Sequence, residues 1–327
     1  MKILVTGGAG YIGSVTVWEL IEKGHSVFVF DNLSQGHRQA VHPGAELVVG
    51  DLADKQSIES FFKKHEGIEA VMHFASRALV GESMRYPDLY VRDNIVQAVN
   101  VLDAAVRFNV ERFVLSSTAN LFGRSSSKPI DEDAVIEPAS PYGESKAMIE
   151  RILKWYEKIF GIIFCSLRYF NAAGATKTLG EDHRPETHII PLLLRAAAGK
   201  KSMFTIYGDD YPTPDGTCVR DYIHVQDLAA AHVLALDALD KGTCFYNLGN
   251  KRGFSVKEVI DTACRVTGRS IDTSVGPRRA GDPPVLIASS ERFRKEFEWK
   301  PRFTDLESII STAWEWHNRF PNGYQDD

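Results

Sequence analysis

Short apolar runs alternate with longer amphipathic segments through the first half of the chain. The apolar runs are typical of strands and cover residues 3–6, 27–30, 47–49, 70–74, 113–116 and 162–167. The segments with apolar residues at helical spacing cover 12–23, 57–64, 95–108 and 141–160. This alternation predicts right-handed βαβ units and a parallel sheet with helices on both faces. We therefore expect an α/β protein with a Rossmann-like, doubly wound parallel sheet.

The pattern changes near residue 171, where glycine, proline and charged residues interrupt shorter apolar runs. This change predicts a nucleotide-binding domain over 1–170 and a smaller α/β substrate-binding domain over most of 171–327. Within the second part, residues 219–236 have helical character and residues 243–248 resemble a strand. We expect the segment of about 219–250 to pack back on the first domain.

Composition and charge exclude several classes of function. The 327 residues carry a formal net charge of −5, and 44% of them are hydrophobic. This mild acidity, without dense runs of Lys and Arg, argues against a nucleic-acid surface. No apolar stretch approaches the roughly 20 residues of a membrane helix, and the 4 cysteines are too dispersed to suggest a metal pair. We expect a cytoplasmic protein without a metal or a membrane contact.

A glycine-rich segment, TGGAGYIG, lies between the first strand and the first helix. Gly7, Gly10 and Gly13 provide a tight turn, a close approach of the backbone to a pyrophosphate and close packing of helix on strand. The helix N-terminus favours the phosphate charge. Asp31 ends the second strand, where a carboxylate accepts hydrogen bonds from the adenosine ribose and repels the extra phosphate of NADP. The segment therefore predicts a site for NAD.

Candidate proton-transfer residues lie after two later strands. Tyr142 and Lys146 are four residues apart in PYGESK, so a helix places them on one face. The lysine cation is expected to lower the pKa of the phenol, which makes Tyr142 a candidate base. Ser116 and Thr118 end the strand before this helix, at the sheet edge where ligands bind. We expect Thr118 to be a catalytic hydroxyl.

Several motifs together resemble one known family. They are TGGAGYIG, VFDNLS, HFA with VGES, SSTA, SPYGESK, RYFNAAGA, DDYPTPDGTCVRDYIHVQDLA, YNLG and PRRAGDPP. The chain resembles the extended short-chain dehydrogenase/reductases and, within them, the UDP-glucose 4-epimerase family. The resemblance extends over essentially the whole length, and the block over residues 209–229 is its most specific part.

This resemblance implies a reaction. Tyr142 would take the proton of the sugar 4-hydroxyl while the hydride of carbon 4 passes to bound NAD, and the 4-keto sugar would turn over before both return. UDP-galactose and UDP-glucose would thereby be interconverted. The resemblance also implies a homodimer formed through the helices after Pro87 and Pro141.

The resemblance assigns further residues to the two ligands. Cofactor contacts are expected from Gly7, Gly10, Tyr11, Ile12, Gly13, Asp31, Asn32, Asp51, Leu52, Phe74, Ala75, Asn94, Ser116, Tyr142, Lys146 and Tyr169. Contacts with the UDP-hexose are expected from Thr118, Tyr142, Asn171, His188, Ile189, Thr205, Tyr207, Arg220, Arg279, Asp282 and Leu286. Two arginines suit a diphosphate because each forms charge-assisted hydrogen bonds.

Departures from the family pattern keep alternatives open. Leu286 stands where enzymes strict for UDP-glucose carry a tyrosine, which suggests a broader enzyme that also accepts N-acetylated UDP-hexoses. His188 stands where some members have Asn, and Ala78 or Arg77 replaces a lysine of the family. A sugar-nucleotide dehydratase would carry Asp and Glu after Thr118, where this chain has Ala and Asn. A non-catalytic NAD sensor would not need Tyr142 and Lys146.

Overall fold

The structure is a computed structural model that describes residues 1–123, 128–200, 203–279 and 282–325. The strands are β1 (Lys2–Thr6), β2 (Ser26–Asp31), β3 (Glu46–Val49), β4 (Ala70–His73), β5 (Arg112–Ser116), β6 (Ile163–Tyr169), β7 (Asn171–Ala173), β8 (Phe204–Tyr207), β9 (Val219–His224), β10 (Cys244–Leu248), β11 (Gly253–Ser255), β12 (Thr273–Gly276) and β13 (Val285–Leu286). The α-helices are α1 (Tyr11–Glu22), α2 (Lys55–Lys64), α3 (Val80–Ser83), α4 (Pro87–Arg107), α5 (Pro141–Phe160), α6 (Ile189–Ala197), α7 (Val225–Ala238), α8 (Val256–Thr267), α9 (Glu291–Phe297) and α10 (Leu306–Arg319).

Seven parallel strands form the central sheet in the order β10-β6-β5-β4-β1-β2-β3. Helices cover both faces, so successive residues of one strand are buried in different layers. In β1, Ile3 and Val5 pack with α1 and α7, whereas Leu4 packs with α2, α4 and α5. The expected doubly wound sheet is confirmed. Its strand order reverses between β1 and β4, which is where such sheets bind ligands.

A second sheet is built around β9, which pairs with β7, β11 and β13. The helical character predicted for residues 219–236 is therefore wrong for the first six of them, because β9 forms these ladders and only Val225–Ala238 is helical. The strand predicted at 243–248 is present as β10, and it lies beside β6 at the edge of the large sheet. The division into domains at residue 170 stays a prediction.

Helix boundaries follow local chemistry. Ser140 caps α5 by accepting a hydrogen bond from the Gly143 N–H at 3.1 Å, and Pro141 occupies its first turn. Helix α4 begins at Pro87, well before the residue 95 expected from spacing, with the proline in its first turn. In the described part of the chain, no helix is both long and apolar enough to cross a membrane.

Candidate active site

The turn after β1 lies at the strand-order reversal. Gly7 has φ +73°, and a Cβ there would lie 2.5 Å from the backbone nitrogen of Ala75, which follows β4. A Cβ on Gly13 would lie 2.2 Å from the Gly7 carbonyl oxygen. A side chain at either position would collide with backbone, so glycine is required for the tight turn on which a dinucleotide pyrophosphate lies. The turn therefore fits the pyrophosphate of NAD, with the N-terminus of α1 facing it.

Asp31 lies against this turn at the end of β2. Its carboxylate accepts hydrogen bonds from the N–H groups of Ala9 at 3.0 Å and Leu33 at 2.9 Å. Burial raises the pKa of Asp31, and these two hydrogen bonds oppose the shift. The carboxylate is thus fixed beside the glycine turn, in position to accept from ribose hydroxyls.

Other predicted cofactor residues surround the same sheet edge, and several are already engaged. The Tyr11 hydroxyl donates to the Gly174 carbonyl oxygen at 2.6 Å, and the Asn94 side chain accepts from the Arg77 N–H at 2.8 Å. The Tyr169 and Ser116 hydroxyls lie 3.0 Å apart. The remaining ones are Gly10 in the turn, Ile12 in the first turn of α1, Asn32 and Asp51 in exposed turns, buried Leu52, and Phe74 with Ala75 after β4.

Tyr142 and Thr118 are brought together by close packing. A Cβ on Gly143 would lie 2.2 Å from the Asn120 carbonyl oxygen, so only glycine lets the first turn of α5 approach the segment after β5. The Asn120 backbone N–H and side-chain amide both donate to the Thr118 hydroxyl, at 3.1 and 3.0 Å. Because its oxygen already accepts twice, Thr118 keeps its own proton for a hydrogen bond towards Tyr142 or a substrate oxygen.

Burial controls the titration of the proton-transfer pair. It raises the pKa of Tyr142, helped by nearby Tyr169 and opposed by the hydrogen bond with Thr118. Burial also lowers the pKa of Lys146 to about 8, opposed by the negative charge of Glu150. The Lys146 ammonium donates to the Ser116 carbonyl at 2.9 Å. Burial thus sets the direction of the Tyr142 pKa shift, and the lowering expected from the Lys146 cation stays a prediction.

Sequence reasoning missed Glu150, which lies one turn beyond Lys146 on the buried face of α5. Its carboxylate pairs with Arg168, whose Nε and Nη2 lie at 3.0 and 2.7 Å. It also accepts from the hydroxyls of Ser117 at 2.8 Å and Ser166 at 2.7 Å. A glutamate at helical spacing on an otherwise apolar face was the signal available. This network supports the strands and helix that carry the pair.

The predicted UDP contacts gather around β9 and the segment before β13. Arg220 forms an ion pair with Asp282, and Arg279 stacks over the Tyr207 ring at 4.1 Å. Asp282 thus pairs with an arginine that is distant in sequence. Both guanidinium groups remain partly open, which suits a diphosphate.

The other predicted substrate residues have different surroundings. The Asn171 amide donates to the Asp221 carbonyl at 2.8 Å, and Thr205 lies 3.4 Å from Ser274. His188 pairs with Glu181 at 2.7 Å, directly before Ile189 begins α6. Leu286 is buried in an apolar cluster with Ala119, Leu121, Phe122, Ile130, Ala147, Phe170 and Ala288.

Comparison with known proteins agrees with this geometry. Residues 3–249 match the NAD dependent epimerase/dehydratase family. The UDP-glucose 4-epimerases of Streptococcus mutans and Lacticaseibacillus casei are each 48% identical to this chain. The matched region covers the whole of this chain and 99% of each of those proteins.

Solved structures are equally similar. A UDP-glucose 4-epimerase with 48% identity superposes with a TM-score of 0.95, and each chain is covered in full. The enzyme of Bifidobacterium longum, solved with NAD+ and UDP, has 35% identity and a TM-score of 0.94 over 99% of this chain and 100% of that one. Relatives at this identity and coverage share more than a fold, and the chain belongs to the UDP-glucose 4-epimerase family within the NAD dependent epimerases and dehydratases.

Proposed function

We propose that this protein is an isomerase that interconverts UDP-galactose and UDP-glucose by inverting carbon 4 of the hexose. The observation that carries the proposal is the buried pair of Tyr142 and Thr118, with Lys146 one turn away, beside the glycine turn that fits NAD. When bound, NAD would accept the hydride of carbon 4 and return it to the opposite face.

The chain's own residues handle the proton. Thr118, oriented by Asn120, donates a hydrogen bond that favours the ionised Tyr142 oxygen. Because burial raises the pKa of Tyr142, its ionisation depends on positive charge close by. Lys146 supplies one such charge below its pKa of about 8. Tyr142 then takes the proton of the 4-hydroxyl and gives it back after the sugar has turned.

The substrate's nucleotide would be held by the second region. Arg220 and Arg279 neutralise the diphosphate, while Tyr207 supports Arg279 by stacking. The tether leaves the hexose free to turn in front of Tyr142, which inversion at one carbon requires. Acceptance of N-acetylated hexoses stays a prediction: the comparisons support the UDP-glucose activity, and packing around Leu286 already occupies part of the space expected there.

The first test is turnover of UDP-galactose with no added NAD, followed by chromatography of the sugar nucleotides. We expect UDP-glucose to appear. Tyr142→Phe should lower kcat by about three orders of magnitude, because it removes the general base. Tyr86→Phe, at a tyrosine 55% exposed, is the matched control and should leave the rate unchanged. Equal activity of wild type and Tyr142→Phe would favour a different base, and inactivity of the wild type with NAD supplied would overturn the proposal.

A cytoplasmic homodimer is part of the proposal. Helices α4 and α5 pack side by side, and α5 exposes Trp155, Ile159 and Phe160 at 59, 63 and 52%. Val96 on α4 is 42% exposed. Burial of this apolar surface against the same helices of a second chain would give a four-helix interface.

Trp155→Glu should shift the mass measured by sedimentation towards the monomer, because it places a charge in that interface. Glu157→Gln on the same helix is the control. An unchanged dimer in Trp155→Glu would place the interface elsewhere.

A further inference from the structure

Two glutamates and two histidines converge in the segment between β7 and α6. The two residue types alternate along a short stretch of chain, as Glu181, His183, Glu186 and His188. None of them belongs to the proton-transfer site. Each offers one ligand atom, and these four atoms lie within 4.8 Å of one another. The cluster is therefore much tighter than an ordinary surface group of charges.

The donor atoms face each other in pairs. Glu181 Oε1 lies 3.1 Å from His183 Nδ1 and 2.7 Å from His188 Nδ1. Glu186 Oε1 lies 3.2 Å from His188 Nδ1. A four-coordinate zinc ion with bonds of about 2.0–2.2 Å needs ligand atoms about 3.4 Å apart. Small side-chain shifts would bring the whole set to that spacing.

One oxygen of the cluster has no hydrogen bond. The Glu186 side chain is fully buried, and its Oε1 accepts from the N–H groups of Thr187 and His188 at 2.7 and 2.8 Å. Its Oε2 has no hydrogen-bond partner among the described residues and lies 4.0 Å from His183 Nδ1. A buried carboxylate oxygen left in this state is costly, and a cation bound between the four residues would satisfy it.

We propose that Glu181, His183, Glu186 and His188 form a binding site for a divalent transition-metal ion of the zinc type. Two imidazole nitrogens and two carboxylate oxygens are a donor set that zinc accepts, whereas Mg²⁺ prefers oxygen ligands only. The metal site does not depend on the proposed reaction, and one of its four ligands, His188, is also an expected UDP-hexose contact. Zinc there would tie the start of α6 to the segment after β7, and it would stabilise the fold.

The position of the cluster supports a stabilising role. His183 lies edge-on to Tyr11 of the first helix, with ring centroids 6.3 Å apart. Asp182, between two of the ligands, contacts His37 near the N-terminal sheet and the Tyr324 N–H near the C-terminus. An ion here would fix a segment on which three distant parts of the chain converge.

The test measures metal directly. Untagged protein is stripped with chelator, loaded with Zn²⁺ and passed into metal-free buffer, and its zinc content and thermal midpoint are measured. We expect one zinc ion per chain and a raised Tm. His183→Gln and the nearly isosteric Glu186→Gln should each weaken zinc binding by at least about tenfold. Their circular dichroism establishes that each variant is folded.

Controls separate this site from others. His25→Gln, at the opposite edge of the sheet, should bind zinc as the wild type does. Co²⁺ should give the visible absorption of a four-coordinate ion without a thiolate charge-transfer band, which excludes Cys165 and Cys244 as ligands. The proposal would be overturned if the wild type retained no zinc, if both variants bound zinc as tightly as the wild type, or if Mg²⁺ competed as well as Zn²⁺. The four residues would then be an ion-pair cluster. None of these measurements depends on epimerase turnover.

Discussion

Helix α5 and the proposed UDP region around β9 hold their charges in different ways. Around α5, Lys146, Glu150 and Arg168 are at most 4% exposed, and each is bound by fixed partners. Around β9, the side chains of Arg220 and Asp282 are 14 and 31% exposed. Charges in the first region are part of the core, whereas those in the second are open enough to exchange a protein partner for a ligand.

This difference in exposure indicates which region contributes to folding stability and which is available for ligand binding. A buried charge is costly unless its partners are complete, so the first region couples chemistry to folding stability. A partly exposed ion pair contributes less stability than a fully buried one and is more easily displaced. Substitutions should therefore affect unfolding near α5 and substrate affinity near β9.

The largest effect expected is at the buried ion pair. Glu150→Gln removes the negative charge opposite Arg168 and should lower the free energy of unfolding by about 3–5 kcal/mol, because an uncompensated guanidinium stays buried. Urea unfolding measures it. Glu144→Gln on the same helix, 35% exposed and 3.6 Å from Arg151, is the control and should change stability by under about 1 kcal/mol. Similar losses of unfolding free energy in both variants would contradict the stabilising role of the buried ion pair.

A second substitution should separate stability from activity. Burial lowers the pKa of Lys146 from 10.5 to about 8, which costs about 3 kcal/mol at neutral pH. Lys146→Met removes this cost and loses the hydrogen bond to Ser116, so nucleotide-free protein should gain about 2 kcal/mol at pH 7. Turnover should fall by about two orders of magnitude. A loss of stability would show that the ammonium is better solvated than its burial indicates.

The pH dependence of the stability difference between wild type and Lys146→Met gives a second measurement. Below the folded pKa of about 8, both states hold the proton and the cost of Lys146 is constant. Between about 8 and 10.5 the unfolded chain binds more protons than the folded one, so wild-type stability from this group rises with pH. The advantage of Lys146→Met should therefore be full at pH 7 and shrink towards pH 10. A constant difference between the two proteins would contradict the assignment.

The sequence predicted the first region better than the second, and the reason is the range of the interactions. Tyr142 and Lys146 share a helix face because of spacing alone, and strands buried on both faces are visible as apolar runs. The contact of Tyr142 with Thr118 needed two adjacent elements only. Glu150 was missed because its partners lie on different elements, Ser117 directly after β5 and Arg168 in β6, and the sequence does not show how these elements align.

The second region depends on strand pairing over long distances. The helical character predicted for residues 219–236 fails at Val219–His224, because pairing with β7, β11 and β13 makes this segment a strand. The same register places Arg220 opposite Leu286 and near Asp282. The resemblance identified these residues, but their pairing requires the assembled sheet.

The smallest effect expected is at Arg220. Arg220→Gln should raise KM for UDP-galactose about tenfold, about 1.4 kcal/mol, with kcat nearly unchanged, because a diphosphate contact is equal in ground and transition states. Asp282→Asn removes the carboxylate that orients Arg220 but leaves the positive charge of the arginine in place, so it should raise KM by about threefold at most.

Arg278→Gln is the matched control for Arg220→Gln. Arg278 is adjacent in sequence to the proposed contact Arg279, but its side chain is 45% exposed and pairs with Asp210 at 2.7 Å. Its loss should leave KM unchanged, because Arg278 is paired with an exposed carboxylate and is not among the expected substrate contacts. Steady-state kinetics with thermal midpoints for all three variants decide the point. If Arg220→Gln lowers stability as much as Glu150→Gln while KM stays constant, Arg220 supports the fold as the buried charges around α5 do. The diphosphate must then be held by other cations.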